Sequence, residues 1–190
     1  MWSKARKESG MKKLASLPFL FAIFAISCCR PLDSQQSPGG NVAAQHQAMQ
    51  KLSFVVGHWS GPVTIVRGAR EPLRLTQTED VAYKLDGLVL LIEGQSTGAD
   101  GKAAFAALAT IAYDDASHSY RFRAYNDGHY LDTELSVSPD GFSWALTAGP
   151  AHVVNTMHLT DKREWSEVTE TTIGNRPSMQ SMDMLLHREP

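Results

Sequence analysis

Arg121, Arg123 and Tyr125 alternate within Tyr120-Arg-Phe-Arg-Ala-Tyr-Asn126. Turned into a cavity, two guanidinium forks and a phenol would grip a carboxylate. Turned to solvent, the same stripe is a set of surface ion pairs, each worth less than about 1 kcal/mol. Glu79, Asp80, Glu167 and Glu170 are the candidate acids. Glu79 shares strand parity with Val81 and Tyr83, so it is the one expected to point inward. There it could serve as a general base with a raised pKa, or be half of a buried hydrogen-bonded pair. Seven histidines, at 46, 58, 118, 129, 152, 158 and 187, form no His-Glu-x-x-His pattern. His152 and His158 could share a strand face but would stand about 20 Å apart at strand rise, too far for one metal. No metal site is expected. Serines abound, yet no Gly-x-Ser-x-Gly elbow is present. Trp144, Trp165, Phe142 and Phe105 are core residues by type, and in a barrel the core is also the lining of any cavity.

The elements that must position these residues are almost all strands. Helical spacing runs from Asn41 to Val56, with Val42, Met49, Leu52 and Val56 able to share a face. Asn41 is placed to cap it and Gly57 to stop it. Short alternating segments follow, broken by Gly, Asp and Pro, and predict ten strands at about 59–67, 73–85, 88–96, 103–113, 119–126, 129–137, 142–147, 151–159, 164–173 and 179–188. No helix recurs between strands, which argues against a parallel α/β sheet. No phosphate-loop or dinucleotide glycine pattern occurs.

Two hairpins can be registered by arithmetic. Asp86-Gly87 is a two-residue turn signal that pairs Leu85 with Leu88, Tyr83 with Leu90 and Val81 with Ile92 on one apolar face. Asp127-Gly128 pairs Ala124 with Leu131 and Phe122 with Thr133. On the opposite face it pairs Tyr125 with Tyr130, Arg123 with Asp132 and Arg121 with Glu134. Two opposite-charge pairs from one register favour the solvent-facing reading of the arginines.

The N-terminus reads as an address. Lys12 and Lys13 precede an apolar run from Leu14 to Ile26, too short to span a bilayer, which takes roughly 20 residues. Residues before Met11 add nothing to this pattern, so Met11 is the expected start. Ala25-Ile26-Ser27-Cys28 resembles a bacterial lipobox, in which Cys28 is acylated and becomes the first mature residue; the alternative is a plain secretory signal. Residues 1–28 are thus a signal peptide, 29–40 a Pro- and Gly-containing spacer and 41–190 the folded domain. Cys28 and Cys29 are the only cysteines, so that domain has no disulfide and no thiol. Cleavage before Cys28 takes the formal net charge from −2 to −6. An acidic exported domain is no partner for nucleic acid. Its expected location is the periplasm or cell envelope, tethered to a membrane by its acyl chains.

Gly57-His58-Trp59-Ser60-Gly61, closing the helix and opening the first strand, resembles the Gly-x-Trp signature of lipocalins and other calycins. The resemblance implies a ten-stranded antiparallel up-and-down barrel over residues 41–190, plugged at one end by the helix with Trp59 beneath it. The stretches Tyr83–Gly94 and Tyr120–Gly128 look like a lipocalin-like domain-of-unknown-function family of secreted bacterial proteins. Nitrobindin, a haem-binding calycin that isomerises peroxynitrite, is a more distant likeness through Leu186-His187-Arg188. Its haem-ligand histidine corresponds here to Ser181, with Met182 and Met184 nearby, which weighs against haem. The expectation is a barrel that binds a small apolar or amphipathic molecule through Tyr83, Leu90, Ile92, Phe105, Phe122 and Trp144. Arg121, Arg123 and Tyr125 are the alternative polar anchor. An enzyme in the cavity and a filled structural barrel are the rival readings. Ala103, Ala104, Ala106, Ala107, Ala109 and Ala112 fit either, leaving room for a ligand or for close packing.

Overall fold

The computed structural model describes residues 40–190. The signal segment, Cys28 and the spacer up to 39 lie outside the described residues. Helix α1, Val42–Gln50, is followed by a 3-10 turn at Ser53–Val55. Ten strands succeed it: β1 Gly57–Ile65, β2 Leu73–Lys84, β3 Val89–Thr97, β4 Ala103–Asp114 and β5 Ser119–Asn126, then β6 His129–Val137, β7 Gly141–Ala148, β8 Ala151–Leu159, β9 Trp165–Ile173 and β10 Met179–Arg188. Each pairs antiparallel with the next, and β1 with β10 closes an up-and-down barrel. The ten expected strands and the all-β class are all present. Charged groups such as Asp80, Glu93, Arg123 and Asp183 occupy outward positions.

The helix closes one mouth of the barrel. Asn41 caps it through its side chain, which accepts from Ala44 N at 3.1 Å. Met49, Leu52 and Val55 are fully buried, and Val42 is 51% exposed. The expected apolar face therefore begins at Met49, about two turns later than its spacing suggested. The first turn is held instead by polar bonds to Asp115, from Asn41 N at 2.5 Å and Gln45 Nε2 at 2.7 Å, and these leave Val42 in solvent. Two tyrosines bolt the helix to the barrel: Tyr83 Oη donates to Met49 O at 2.6 Å and Tyr120 Oη to Ala48 O at 2.7 Å. Trp59 lies beneath the helix, its Nε1 donating to Val55 O at 2.8 Å. Its ring meets Trp165 edge-on at 5.6 Å, and Arg188 stacks over it at 4.2 Å. At Gly61 the β1 and β10 backbones come so close that a Cβ would stand 2.1 Å from Leu185 O, so only glycine fits.

The Asp127-Gly128 hairpin has the expected register, Asn126↔His129 through Tyr120↔Leu135. The Asp86-Gly87 hairpin keeps Val81↔Ile92 and Tyr83↔Leu90 but opens at its tip. The last pair is Lys84↔Val89, and Leu85, Asp86 and Gly87 all take positive φ. Leu85 is consequently 72% exposed rather than paired with Leu88. The reason is tertiary: helix α1 packs on this turn, with His46 beside Gly87.

Candidate functional site

Alternation places one set of side chains inside the barrel, and their burial is graded along its axis. Toward the helix, Trp59, Leu90, Ile111, Met157, Trp165 and Leu186 are all essentially sealed from solvent. Toward the opposite mouth, Phe105, Leu131, Trp144, Leu146, Val153 and Met182 point inward yet keep accessible surface. On the β1–β3 side of that half Val63, Leu75 and Ser96 are sealed as well, so the interior is packed at its helix end and partly accessible at the other.

A polar belt lies between the two halves. From β2 and β3 come Gln77, Glu79 and Ser96. Gln77 Nε2 donates to Glu79 Oε1 at 2.8 Å, and Ser96 Oγ donates to Gln77 Oε1. Gly94 faces Glu79 across the ladder, and a Cβ there would stand 2.7–2.8 Å from its carboxylate oxygens. The missing side chain is what gives the carboxyl room to lie flat against β3. From β8 and β9 come Asn155, Trp165, Glu167 and Thr169. Asn155 Nδ2 donates to Glu167 Oε1 and to Thr169 Oγ1, each at 2.9 Å. Trp165 Nε1 donates to Glu167 Oε2 at 2.8 Å. Asn155 is 2% exposed, and its Oδ1 is sealed from solvent without a donor.

Burial first, and the charge of Glu167 second, push the Glu79 carboxyl up to about 8. The Gln77 hydrogen bond opposes both, and Asp80 adds a smaller upward push. Burial also raises Glu167, against the two hydrogen bonds from Asn155 and Trp165 that favour its ionised form. Glu79 is therefore the carboxyl that holds its proton at neutral pH. Two buried carboxyls, both raised and close enough for one to act on the other, are an arrangement acid–base sites use.

The other sequence candidates fall elsewhere. Arg121, Arg123 and Tyr125 are on the outer face, so they form no lumen anchor. Both arginines pair with Asp132, Arg123 Nε at 3.0 Å, and Tyr125 packs on Tyr130 at 5.3 Å. Phe122 and Ala124 hold the inner positions of β5, and strand alternation then forces their neighbours out. Among the six expected ligand contacts, Leu90 is wholly buried and Tyr83 spends its hydroxyl on the helix, so both belong to the covered core. Ile92 and Phe122 are nearly sealed, whereas Phe105 and Trp144 keep partial exposure; Phe122 and Trp144 stack at 5.4 Å. Of the small β4 residues, Ala107 and Ala109 face inward, while Ala106 and Ala112 face out beside Gln95 and Arg121. Asp80 turns outward to His58, and Glu170 is exposed. Gln77, Ser96 and Asn155 carried no chemical signal of their own. Their strand parity with Glu79, Gly94 and Met157 was the only clue.

Among the described residues no cluster of three His, Cys, Asp or Glu could hold a metal. Of the haem ligands the sequence offered, Met182 and Met184 face inward on β10. His58, His118, His129, His152, His158 and His187 are exposed, and His46 is on α1. Ser181 donates to Thr169 O at 3.2 Å and shares a hydrogen bond with Thr171 at 2.8 Å.

No family model and no curated protein matches the chain. Among solved structures, the crystal structure of Rv2717c from M. tuberculosis is similar at a TM-score of 0.58 and 18% identity. The match covers 75% of this chain and 98% of that one. This likeness is one of fold: a ten-stranded antiparallel barrel.

Proposed function

We propose that this chain is an exported barrel, anchored to a membrane through Cys28, that holds a small apolar or amphipathic molecule in its open half. The observation that carries this reading is the graded interior. A barrel built only for its own stability gains by filling its lumen at native packing density. Here Phe105, Leu131, Leu146 and Val153, inward side chains of the helix-distal half, stay in contact with solvent, although Val63, Leu75 and Ser96 on β1–β3 are sealed. Apolar side chains there would supply affinity by burial, and the polar belt would fix the ligand's orientation. The Gly57–Gly61 opening, the plugging helix and the barrel closure also favour kinship with the calycins.

The Glu79–Glu167 pair favours a second reading, an acid–base enzyme that needs no cofactor. Neither reading routes a step through haem.

Native mass spectrometry with an absorbance scan, on the mature protein from its own host, tests the first reading. The partner variant is Ala124→Trp, which projects an indole into the open half. An adduct of defined mass in the wild type that is lost in the folded variant is the expected result. An empty mass, together with no saturable binding of the neutral probe N-phenyl-1-naphthylamine, would overturn it. A Soret band would identify the ligand as haem.

A further inference from the structure

We propose that Glu79, Glu167 and Asn155 form a binding site for the ammonium head of an amphipathic amine whose apolar body lies in the open half against Trp144. This rests on the reading of the barrel as a small-molecule binder and specifies what that molecule carries.

The belt has more acceptors than donors. Gln77 Nε2 is committed to Glu79 and Thr78 O, Asn155 Nδ2 to Glu167 and Thr169, Trp165 Nε1 to Glu167 and Ser96 Oγ to Gln77. Besides the proton on Glu79, what remains is acceptor capacity: the further lone pairs of Glu167 and Asn155 Oδ1. Asn155 Oδ1 is the independent sign that something is missing. A buried acceptor without a donor is costly, and native interiors rarely leave one. A hydroxyl would offer the belt one hydrogen, whereas a primary ammonium offers three.

Charge points the same way. The belt holds two carboxyls, and the described Lys, Arg and His side chains lie on the outer face, in loops, on the helix or at the barrel rims. The charge of Glu167 bears on Glu79 with no cation between them. A cationic head would send the Glu79 proton to solvent and replace a carboxyl held neutral beside Glu167 with two charge-assisted hydrogen bonds. Trp144 is the cross-strand neighbour of Asn155 and is partly exposed, so its ring stands at the same level of the barrel. An aromatic face beside carboxylates is the setting in which organic ammonium groups are recognised.

Calorimetric titration at pH 7.5 with three probes of equal chain length, hexylammonium, 1-hexanol and hexanoate, tests the assignment. The wild type should bind hexylammonium about tenfold or more tighter than hexanol, and hexanoate more weakly than either. Glu167→Gln should abolish that preference while leaving hexanol affinity within about twofold, which also shows that the variant is folded. Glu79→Gln should reduce the preference in part. Equal affinity for amine and alcohol would overturn the ammonium site and leave the small-molecule reading standing. No binding of any probe would count against both. Binding of calcium alone, with displacement of hexylammonium, would overturn the proposal in favour of a metal site.

Discussion

Glu79→Gln should make the protein's stability less sensitive to alkali. In the folded protein the Glu79 carboxyl keeps its proton up to about pH 8, against 4.5 for an ordinary glutamate. Between those values the folded chain binds one proton more than the unfolded chain. The stabilisation is therefore fully present below 4.5, declines as pH rises, and is gone above about 8. At 1.36 kcal/mol for each tenfold step in proton affinity, the whole window corresponds to at most about 5 kcal/mol. The figure is an upper bound because the residue is only partly buried. Glutamine imitates the neutral acid and does not titrate. The stability of the wild type minus that of Glu79→Gln should thus fall by up to about 5 kcal/mol from about pH 4.5 to about pH 8.5. Urea denaturation followed by tryptophan fluorescence reads this directly, since Trp59, Trp144 and Trp165 all sit in the barrel. Taking the difference cancels the aspartates at 100, 114, 115 and 132, whose lowered values act in acid and in the opposite sense. Adding Glu167→Gln should move the midpoint down without returning it to 4.5, because burial is the larger cause and the Glu167 charge the smaller. A difference that stays level within about 0.5 kcal/mol would refute the inward placement of Glu79.

Trp59→Ala should cost about 3–5 kcal/mol in chemical denaturation, since it removes a sealed ring and its bond to Val55; a near-neutral result would remove the plug from the account. Gly94→Ala should destabilise by about 1–3 kcal/mol by driving a methyl into the Glu79 carboxyl. Most of that cost should vanish in a Glu79→Ala background, and a purely additive double-mutant cycle would show that the carboxyl does not lie against Gly94. Cys28→Ser should shift the protein from the membrane to the soluble fraction, and unchanged fractionation would favour a plain secretory signal.

The alternation of side chains was enough to give ten strands, their antiparallel order and the register of the Asp127-Gly128 hairpin. Each of these depends on neighbours close in sequence. Arg123 meets Asp132 because a two-residue turn leaves no other register. The same alternation turned Glu79 inward with Val81 and Tyr83. Local pattern failed where a distant element intervened. Leu85 swings into solvent because α1 packs on its turn, and Val42 is exposed because Asp115, 74 positions away from Asn41, holds the helix start.

The polar belt is the larger case. Parity assigns Glu79, Gln77, Asn155 and Glu167 to a face, but it says nothing about their height in the barrel or which strands lie beside them. Only the closure of β1 onto β10 brings β2 and β9 within electrostatic reach across that seam. What the sequence determined is what two-residue periodicity and tight turns encode. What the tertiary structure decided is which buried groups share one low-dielectric space, because burial and charge depend on neighbours that the chain reaches only after the barrel has closed.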